Sequence, residues 1–190
     1  MIYKTGHWKY YGTLEAQMIF NHKDAINFLI DDPEAKIDER TLIALHALLS
    51  NGLLPDQSEG GVLRKRPVRI SGSTFEPLNS PSLKDGFDIF IQKANEIENP
   101  FEQAFFIMVH LPYLQPFVDV NKRVSRLAAN IPFIQKNLCP LSFLDVPSEH
   151  YLEGILAVYE FNDISLLRDV YIWAYHRSCQ QYTAAEQSLR

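Results

Sequence analysis

The sequence predicts a mostly α-helical fold, a helical bundle that carries one small β-hairpin. Apolar residues recur at helical spacing through most of the 190-residue chain, and proline or Asn-Gly signals separate these segments. Alternation of apolar and polar residues is confined to one stretch near Val68. With 46% hydrophobic and 22% charged residues, the chain has enough apolar side chains for the core of one domain.

Two helices are predicted in the N-terminal part. The first covers residues 21–31 and ends before a proline, which cannot continue a helix. The second covers residues 38–50 and ends at an Asn-Gly pair. Because residues 1–20 are aromatic and show no clear start of a domain, residues 1–37 are interpreted as an N-terminal extension and helix, a candidate regulatory segment.

Residues 60–75 carry the hairpin signal. Val68 and Ile70 alternate with Arg69, and a Ser-Gly-Ser turn separates two β-like runs. The same stretch contains a basic cluster of Arg64, Lys65, Arg66 and Arg69. The favoured interpretation is a solvated face of the hairpin, and the alternative is a surface that attracts an acidic target or a nucleic acid.

The rest of the chain is predicted to be helical. After a helix near residues 83–94, a strong start occurs at Asn99-Pro100, where the asparagine caps and the proline takes the first helical position. This helix is apolar on all sides as far as Leu114, which predicts that it is buried. Further helices are predicted over residues 121–138 (with a bend at Pro132), 147–161 and 164–181, followed by a fraying polar tail at 182–190.

Composition argues against several classes of protein. The net charge of −5 disfavours general nucleic-acid binding, and no apolar run approaches the ~20 residues that cross a bilayer. The mixed N-terminus is not a secretory signal. Cys139 and Cys179 lie far apart without a CxxC spacing, so we expect a cytoplasmic protein in which both are packing residues.

The stretch from Gln115 to Arg126 carries the chemistry. A buried helix ends, a short loop follows, and a new helix begins, whose N-terminus presents unpaired N–H groups to an anion. Arg123 and Arg126 project from one face of that helix and suit phosphate, and a lone carboxylate at Asp119 suits Mg²⁺ beside a polyphosphate. The residues alone leave a second interpretation open, in which Asp119 and Asn121 only cap the helix and both arginines are solvated.

These twelve residues resemble the core motif of the Fic family, HPFx(D/E)GNGRxxR. The matching positions are Pro116, Phe117, Asp119, Asn121, Arg123 and Arg126. Residues 45–49 are similar to the family's LHxxL helix, and residues 60–75 are similar to its flap hairpin. The resemblance covers roughly residues 38–178, so residues 38–181 are interpreted as a Fic-like domain.

The resemblance implies a function. In the family, the motif histidine is the general base, and most members transfer AMP from ATP to a hydroxyl of a target protein. By position, Mg²⁺ would lie on Asp119, phosphates on Asn121 and Arg123, and the terminal phosphate on Arg126, while Phe117 anchors the loop. The unidentified target protein would bind by strand addition to the flap at Val68, Arg69 and Ile70.

Two departures bear on activity. Gln115 stands at the position of the histidine, and an amide cannot do general-base work that typically contributes ~10²–10⁴-fold. Lys122 replaces a glycine, which gives an Asn-Lys-Arg ending similar to the Doc branch, whose members transfer phosphate from ATP. There Lys122 would crowd or charge the phosphate cradle. His110 lies too far along the preceding helix to replace the base and is interpreted as a core residue.

The family also has an inhibitory motif, (S/T)xxxE(G/N). Glu15 is the nearest candidate, although Tyr11 stands where Ser or Thr belongs. An inhibitory Glu15 would pair with Arg126 and block the terminal phosphate; the alternative is an ordinary acidic residue at a helix N-terminus.

Two functions stay open at this point. One is a transferase that moves AMP or another phosphate-linked group to a protein hydroxyl. The other is a non-catalytic Fic-fold pseudoenzyme that binds nucleotide or protein and acts by occupancy. A nucleic-acid-binding regulator is weaker because the chain is acidic. The sequence names neither the target nor the nucleotide base, and a homodimer stays open.

Overall fold

The computed structural model describes residues 13–32 and 34–188. Within them the chain forms α-helices, one short 3-10 turn and no strand, which confirms the mostly α fold. The helices are α1 (Leu14–Asp31), α2 (Glu39–Ser50), α3 (Ser80–Glu96), α4 (Pro100–Leu114), α5 (Asn121–Ala128), α6 (Ile131–Gln135), α7 (Ser148–Phe161) and α8 (Ser165–Ser188). The first twelve residues of the predicted extension and the last two of the predicted tail lie outside the described residues.

Side-chain caps fix where several helices begin. Thr13 accepts from the N–H of Ala16 at 3.3 Å, and Asp38 accepts from the N–H of Thr41 at 2.7 Å. Asn99 accepts from the N–H groups of the first turn of α4, and Pro100 is the first helical residue, as the sequence predicts. These local signals mark the starts of α1, α2 and α4, although α1 begins at Leu14, ahead of the start predicted at residue 21.

Helix α4 is the centre of the fold. It packs against α3, α5, α6 and α7, and its residues Ile107, Met108 and Leu111 have no exposed surface. One apolar cluster joins α4 to α1, α2, α3 and α5, and a second joins it to α6, α7 and α8. The burial predicted for an apolar helix is confirmed at residues such as Ile107, Met108 and Leu111, whereas His110, interpreted as a core residue, is exposed.

The predicted hairpin is not formed. Residues 62–79, which we call the flap segment, contain no strand in the structure. Pro67 and Pro77 lack N–H groups and break any ladder, and the turn at Ile70 keeps one backbone hydrogen bond, from the N–H of Ser73 at 3.2 Å. The alternation of Val68 and Ile70 therefore marks an extended segment without a partner strand.

The helix predicted over 121–138 is divided. α5 ends at Ala128, and α6 starts at Ile131 with Pro132 in its first turn, so the proline begins a helix where a bend is predicted. At the C-terminus, α8 continues to Ser188, past the predicted start of the polar tail. None of the helices in the described part of the chain is long and apolar enough to span a bilayer.

Cys139 and Cys179 are neighbours in the fold although 40 positions separate them. Both are free and half-buried. Burial, and then a hydrogen bond with Cys179, raises the pKa of the Cys139 thiol to about 12, so this thiol is protonated and unreactive near neutral pH.

The close packing of α7 on α8 at Gly154 predicts that an added methyl group destabilises the fold. A Cβ at Gly154 would lie 3.0 Å from Cα and 3.1 Å from the backbone N of Leu167, and a buried backbone cannot yield cheaply. We expect Gly154→Ala to lower the free energy of unfolding by about 1–3 kcal/mol in urea titrations. The matched control is Gly86→Ala in α3, whose Cβ would meet only the ends of two side chains, Leu78 and Leu114, and we expect it to change stability by less than about 1 kcal/mol. Equal effects of the two variants would contradict this interpretation.

Candidate functional site

A sharp loop joins α4 to α5, and we call residues 115–120 the anion loop. Gln115 ends α4 with φ 49° and ψ 59°, and Val120 precedes α5 with φ 68° and ψ 0°. Both residues are left-handed, so the chain reverses direction within six residues. Among the described residues, no hydrogen bond uses the N–H groups of Asn121 and Lys122, which open α5.

The side chain of Asn121 closes the loop from inside. It is buried, and its Oδ1 accepts from the N–H of Phe117 at 3.0 Å. Its Nδ2 donates to the carbonyl of Phe117 at 2.8 Å and to Oε1 of Gln115 at 2.8 Å. The amide is thus fully engaged in shaping the loop, and its predicted phosphate contact stays a prediction.

Gln115 is tied down in the same way. Its Nε2 donates to the carbonyl of Pro112 at 2.7 Å and to the hydroxyl of Tyr159 at 3.3 Å, and its Oε1 accepts from Asn121. The side chain is 9% exposed. Every donor and acceptor of this amide is used within the fold, and none of them is basic enough to accept a proton near neutral pH.

Three cations gather beside the loop. Lys122, Arg123 and Arg126 are half-buried, and none of them forms an ion pair within the described residues. Burial lowers the pKa of Lys122 and of Arg123, and the charge of Arg126 lowers both further, while Asp119 acts in the opposite direction. Half-buried cations without a carboxylate in an ion pair suit a polyanionic ligand.

Aromatic rings hold Arg126 in place. Its guanidinium carbon lies 4.8 Å from the ring centroid of Tyr151 and 5.7 Å from that of Phe143. Tyr151 is buried, so one of the two rings belongs to the packed core. These contacts favour one direction of the Arg126 guanidinium.

Among the described carboxylates, Asp119 alone raises the pKa of Lys122 and of Arg123. It is exposed, and its Oδ1 accepts from the N–H of Val120 at 2.6 Å. The described residues contain no group of three or more His, Cys, Asp or Glu side chains able to hold a metal. A single carboxylate fits Mg²⁺ that takes its remaining ligands from phosphate and water.

His46 of α2 supports the loop from below, as a buried hydrogen-bonded histidine. Its ring stacks on Phe117 with centroids 3.9 Å apart, and its Nδ1 accepts from the N–H of Gly61 at 3.0 Å. Gly61 is required there, because its φ is 69° and a Cβ would lie 2.9 Å from that of Ala47. Burial lowers the pKa of His46 to about 4, although the backbone and charge of Asp119 raise it.

The basic cluster of the flap segment is divided by the structure. Arg64 is 3% exposed, so the interpretation of a solvated face is wrong for this residue. Its Nε donates to the carbonyl of Gln115 at 2.6 Å, in the anion loop. Arg66 forms an exposed ion pair with Glu59, and Lys65 and Arg69 are exposed. Nothing in the local sequence separates Arg64 from its basic neighbours, because its partner lies 51 positions away.

In the described structure, no hydrogen bond or ion pair joins Glu15 or the flap residues Val68, Arg69 and Ile70 to the three cations. Glu15 is exposed in the first turn of α1 and forms no ion pair with Arg126. His22 of α1 is within electrostatic reach of the cations. Burial lowers its pKa, and the charges of Arg126 and Arg123 lower it further. The predicted inhibitory role of Glu15 and the target-binding roles of Val68, Arg69 and Ile70 stay predictions.

The fold and the site together define a class: a helical protein in which a tight loop between two helices lies beside a cluster of unpaired cations. The sequence profile of the Fic/DOC family matches residues 36–132, just over half of the chain. The chain therefore belongs to the Fic/DOC family. No curated protein matches its sequence.

Solved structures of the same fold have low sequence identity. Fic-1 (residues 134–508) from C. elegans superposes with a TM-score of 0.78 at 17% identity, and covers 98% of this chain and 57% of its own. BepC from Bartonella tribocorum, solved with AMPPNP, gives 0.66 at 14%, with 84% of both chains covered. The N-terminal Fic domain of a cell filamentation protein from Bartonella quintana, solved with ADP, gives 0.68 at 16%, with 84% of this chain and 83% of its own.

The left-handed conformation of Val120 predicts an inverted preference for glycine. A left-handed residue with a Cβ costs about 1–2 kcal/mol, so Val120→Gly is expected to be more stable than Val120→Ala by about 1 kcal/mol. At Val124, inside α5, the order should reverse, because glycine is less stable than alanine in a helix by about 1 kcal/mol. Chemical denaturation of the four variants checks this. If alanine is more stable than glycine at both positions, residue 120 is not left-handed.

Burial of neutral His46 predicts a pH dependence. Its pKa is about 4 in the folded protein, below the ordinary value of 6.5, so the unfolded chain binds a proton first. This contribution to stability is complete above pH 6.5 and is lost as the pH falls toward 4. Urea titrations should show wild type losing about 2 kcal/mol more than His46→Gln between pH 8 and pH 5. Parallel pH profiles of the two proteins would contradict the buried neutral state.

Proposed function

We propose that this protein binds a nucleoside triphosphate at the anion loop and acts by occupancy of that site, without base-assisted transfer. The observation that carries the proposal is the cluster of Lys122, Arg123 and Arg126, half-buried and without acidic partners among the described residues, beside the free N–H groups of α5. Helix N-termini and guanidinium forks are the groups that bind phosphate in proteins. The AMPPNP and ADP bound to the two Bartonella proteins of this fold support a nucleotide as the ligand.

The state of Gln115 supports a non-catalytic protein. The amide is buried, and its hydrogen bonds to Asn121 and to the carbonyl of Pro112 leave no group to take a proton from a target hydroxyl. Transfer of AMP or another phosphate-linked group is the second candidate. Positioning and charge stabilisation by the cations would remain available to it, and these supply much of phosphoryl-type catalysis.

Mg²⁺ has a place in either function. Asp119 would hold the ion, and a bound metal would neutralise phosphate charge and help to place the triphosphate. The carboxylate is exposed, and its charge acts on Lys122 and Arg123, which supports a metal shared between Asp119 and the phosphate oxygens. The target protein, the cytoplasmic location and a homodimer stay predictions.

Binding is tested by calorimetry with ATP in the presence of Mg²⁺. Replacing Arg123 or Arg126 by glutamine is expected to weaken binding at least about tenfold, because a hydrogen bond to a charged group contributes about 1.5–3 kcal/mol. Lys65→Gln, which removes an exposed cation of the flap segment, is the control and should change affinity less than about threefold. Wild-type protein that does not bind ATP, or equal losses in all three variants, would contradict the site.

Catalysis is tested with ATP labelled at the α or the γ phosphate, Mg²⁺ and a cell lysate. We expect no transfer by wild type and transfer by Gln115→His, since the histidine supplies the missing base to an intact nucleotide site. Label from the α position in wild type would mean AMP transfer, and label from the γ position would mean phosphorylation. Either result would replace the non-catalytic proposal with the transferase.

A further inference from the structure

Arg64 is a buried guanidinium whose partners are backbone carbonyls. Its Nε donates to Gln115 at 2.6 Å, its Nη1 to Arg66 at 3.1 Å, and its Nη2 to Leu78. No carboxylate pairs with it among the described residues, and burial lowers its pKa. A buried charge of this kind depends on each of its hydrogen bonds, because the loss of one leaves part of the charge unsatisfied.

The same residue closes the flap segment at its base. The carbonyls of Arg66 and Leu78 lie near the two ends of the segment, so the fork of Arg64 holds these ends together. The carbonyl of Arg64 accepts from Oγ of Ser80 at 3.1 Å, which fastens the base to the start of α3. The planar guanidinium fixes these positions relative to one another, which a lysine cannot do with a single nitrogen.

Arg64 also contacts the anion loop, through its side chain and its backbone. The guanidinium Nε donates to the carbonyl of Gln115, and the backbone N–H donates to the carbonyl of Pro116 at 3.0 Å. The first two residues of the anion loop are therefore bonded to the residue that closes the flap segment. The tip of the segment is held separately, since Glu160 of α7 accepts from Ser73 and from the N–H of Thr74 at 2.7 Å.

We propose that Arg64 is a positioning residue that couples the flap segment to the anion loop, so that the two change conformation together. Between base and tip, the backbone groups of Val68 and Arg69 form no hydrogen bond within the described residues and are free for an extended chain. A change at the anion loop moves the carbonyl of Gln115 and with it the fork that sets the ends of this segment. The coupling itself is a property of the free protein, and its use as a signal of nucleotide occupancy rests on the proposed function.

Hydrogen exchange of the free protein tests the coupling. In Arg64→Lys, amides of both the flap segment and residues 115–122 are expected to exchange about tenfold faster or more, because the fork is lost although the charge remains. Arg66→Lys is the control, since Arg66 lies in the same segment with its guanidinium in an exposed ion pair to Glu59, and it should leave residues 115–122 unchanged. Faster exchange of the flap segment alone in Arg64→Lys would overturn the proposal.

A second measurement needs no variant. Inorganic tripolyphosphate is added to wild type, its binding is followed by calorimetry, and exchange is measured again. We expect slower exchange at residues 115–126 and, at least about threefold, in the flap segment. Protection limited to 115–126 would overturn the coupling and leave the proposed binding function standing. If tripolyphosphate does not bind, the proposed function fails, while the comparison of Arg64→Lys with Arg66→Lys still decides the coupling.

Discussion

The hydrogen bonds of the Asn121 side chain are the constraint on which the site depends. One amide bonds both backbone groups of Phe117 and the side chain of Gln115, so it closes the turn and joins the end of α4 to the start of α5. Buried backbone groups without partners cost several kcal/mol, and the tight loop offers Phe117 no others among the described residues. Only a side chain with both a donor and an acceptor satisfies this turn, which excludes aspartate and leucine alike.

Gln115 extends that network, at the position where the resemblance to the family motif implies a histidine. Its amide connects three helices at once, through Pro112 in α4, Asn121 in α5 and Tyr159 in α7. A neutral imidazole has one donor and one acceptor, so a histidine that acts as a base at this position must leave its acceptor nitrogen free of the bond that Gln115 makes with Asn121. The glutamine is thus a neutral group at the end of α4 whose amide is bonded within the fold.

The sequence predicts those parts of the structure that local chemistry decides. The cap at Asn99, the proline after it and the apolar surface of α4 predict a buried central helix, and the structure has one. The alternation at Val68 and Ile70 predicts a hairpin wrongly, because strand pairing needs a partner that the local pattern does not reveal. Arg64 is misjudged for the same reason, since its partner Gln115 lies 51 positions along the chain. Arg64 differs from its exposed basic neighbours in its long-range hydrogen bond, which the residue type does not reveal.

The charge distribution also limits which kinds of ligand fit the site. The chain carries a net charge of −5, so its overall field repels nucleic acids and other extended polyanions. The cations Lys122, Arg123 and Arg126 lie within one turn or so of a single helix, beside the carboxylate of Asp119. Half-buried cations this close repel one another, and the described residues offset that repulsion with Asp119 alone. A compact anion of high charge relieves the repulsion best, and a carboxylate at its edge favours one that brings a divalent metal, which supports the proposed metal-bound triphosphate.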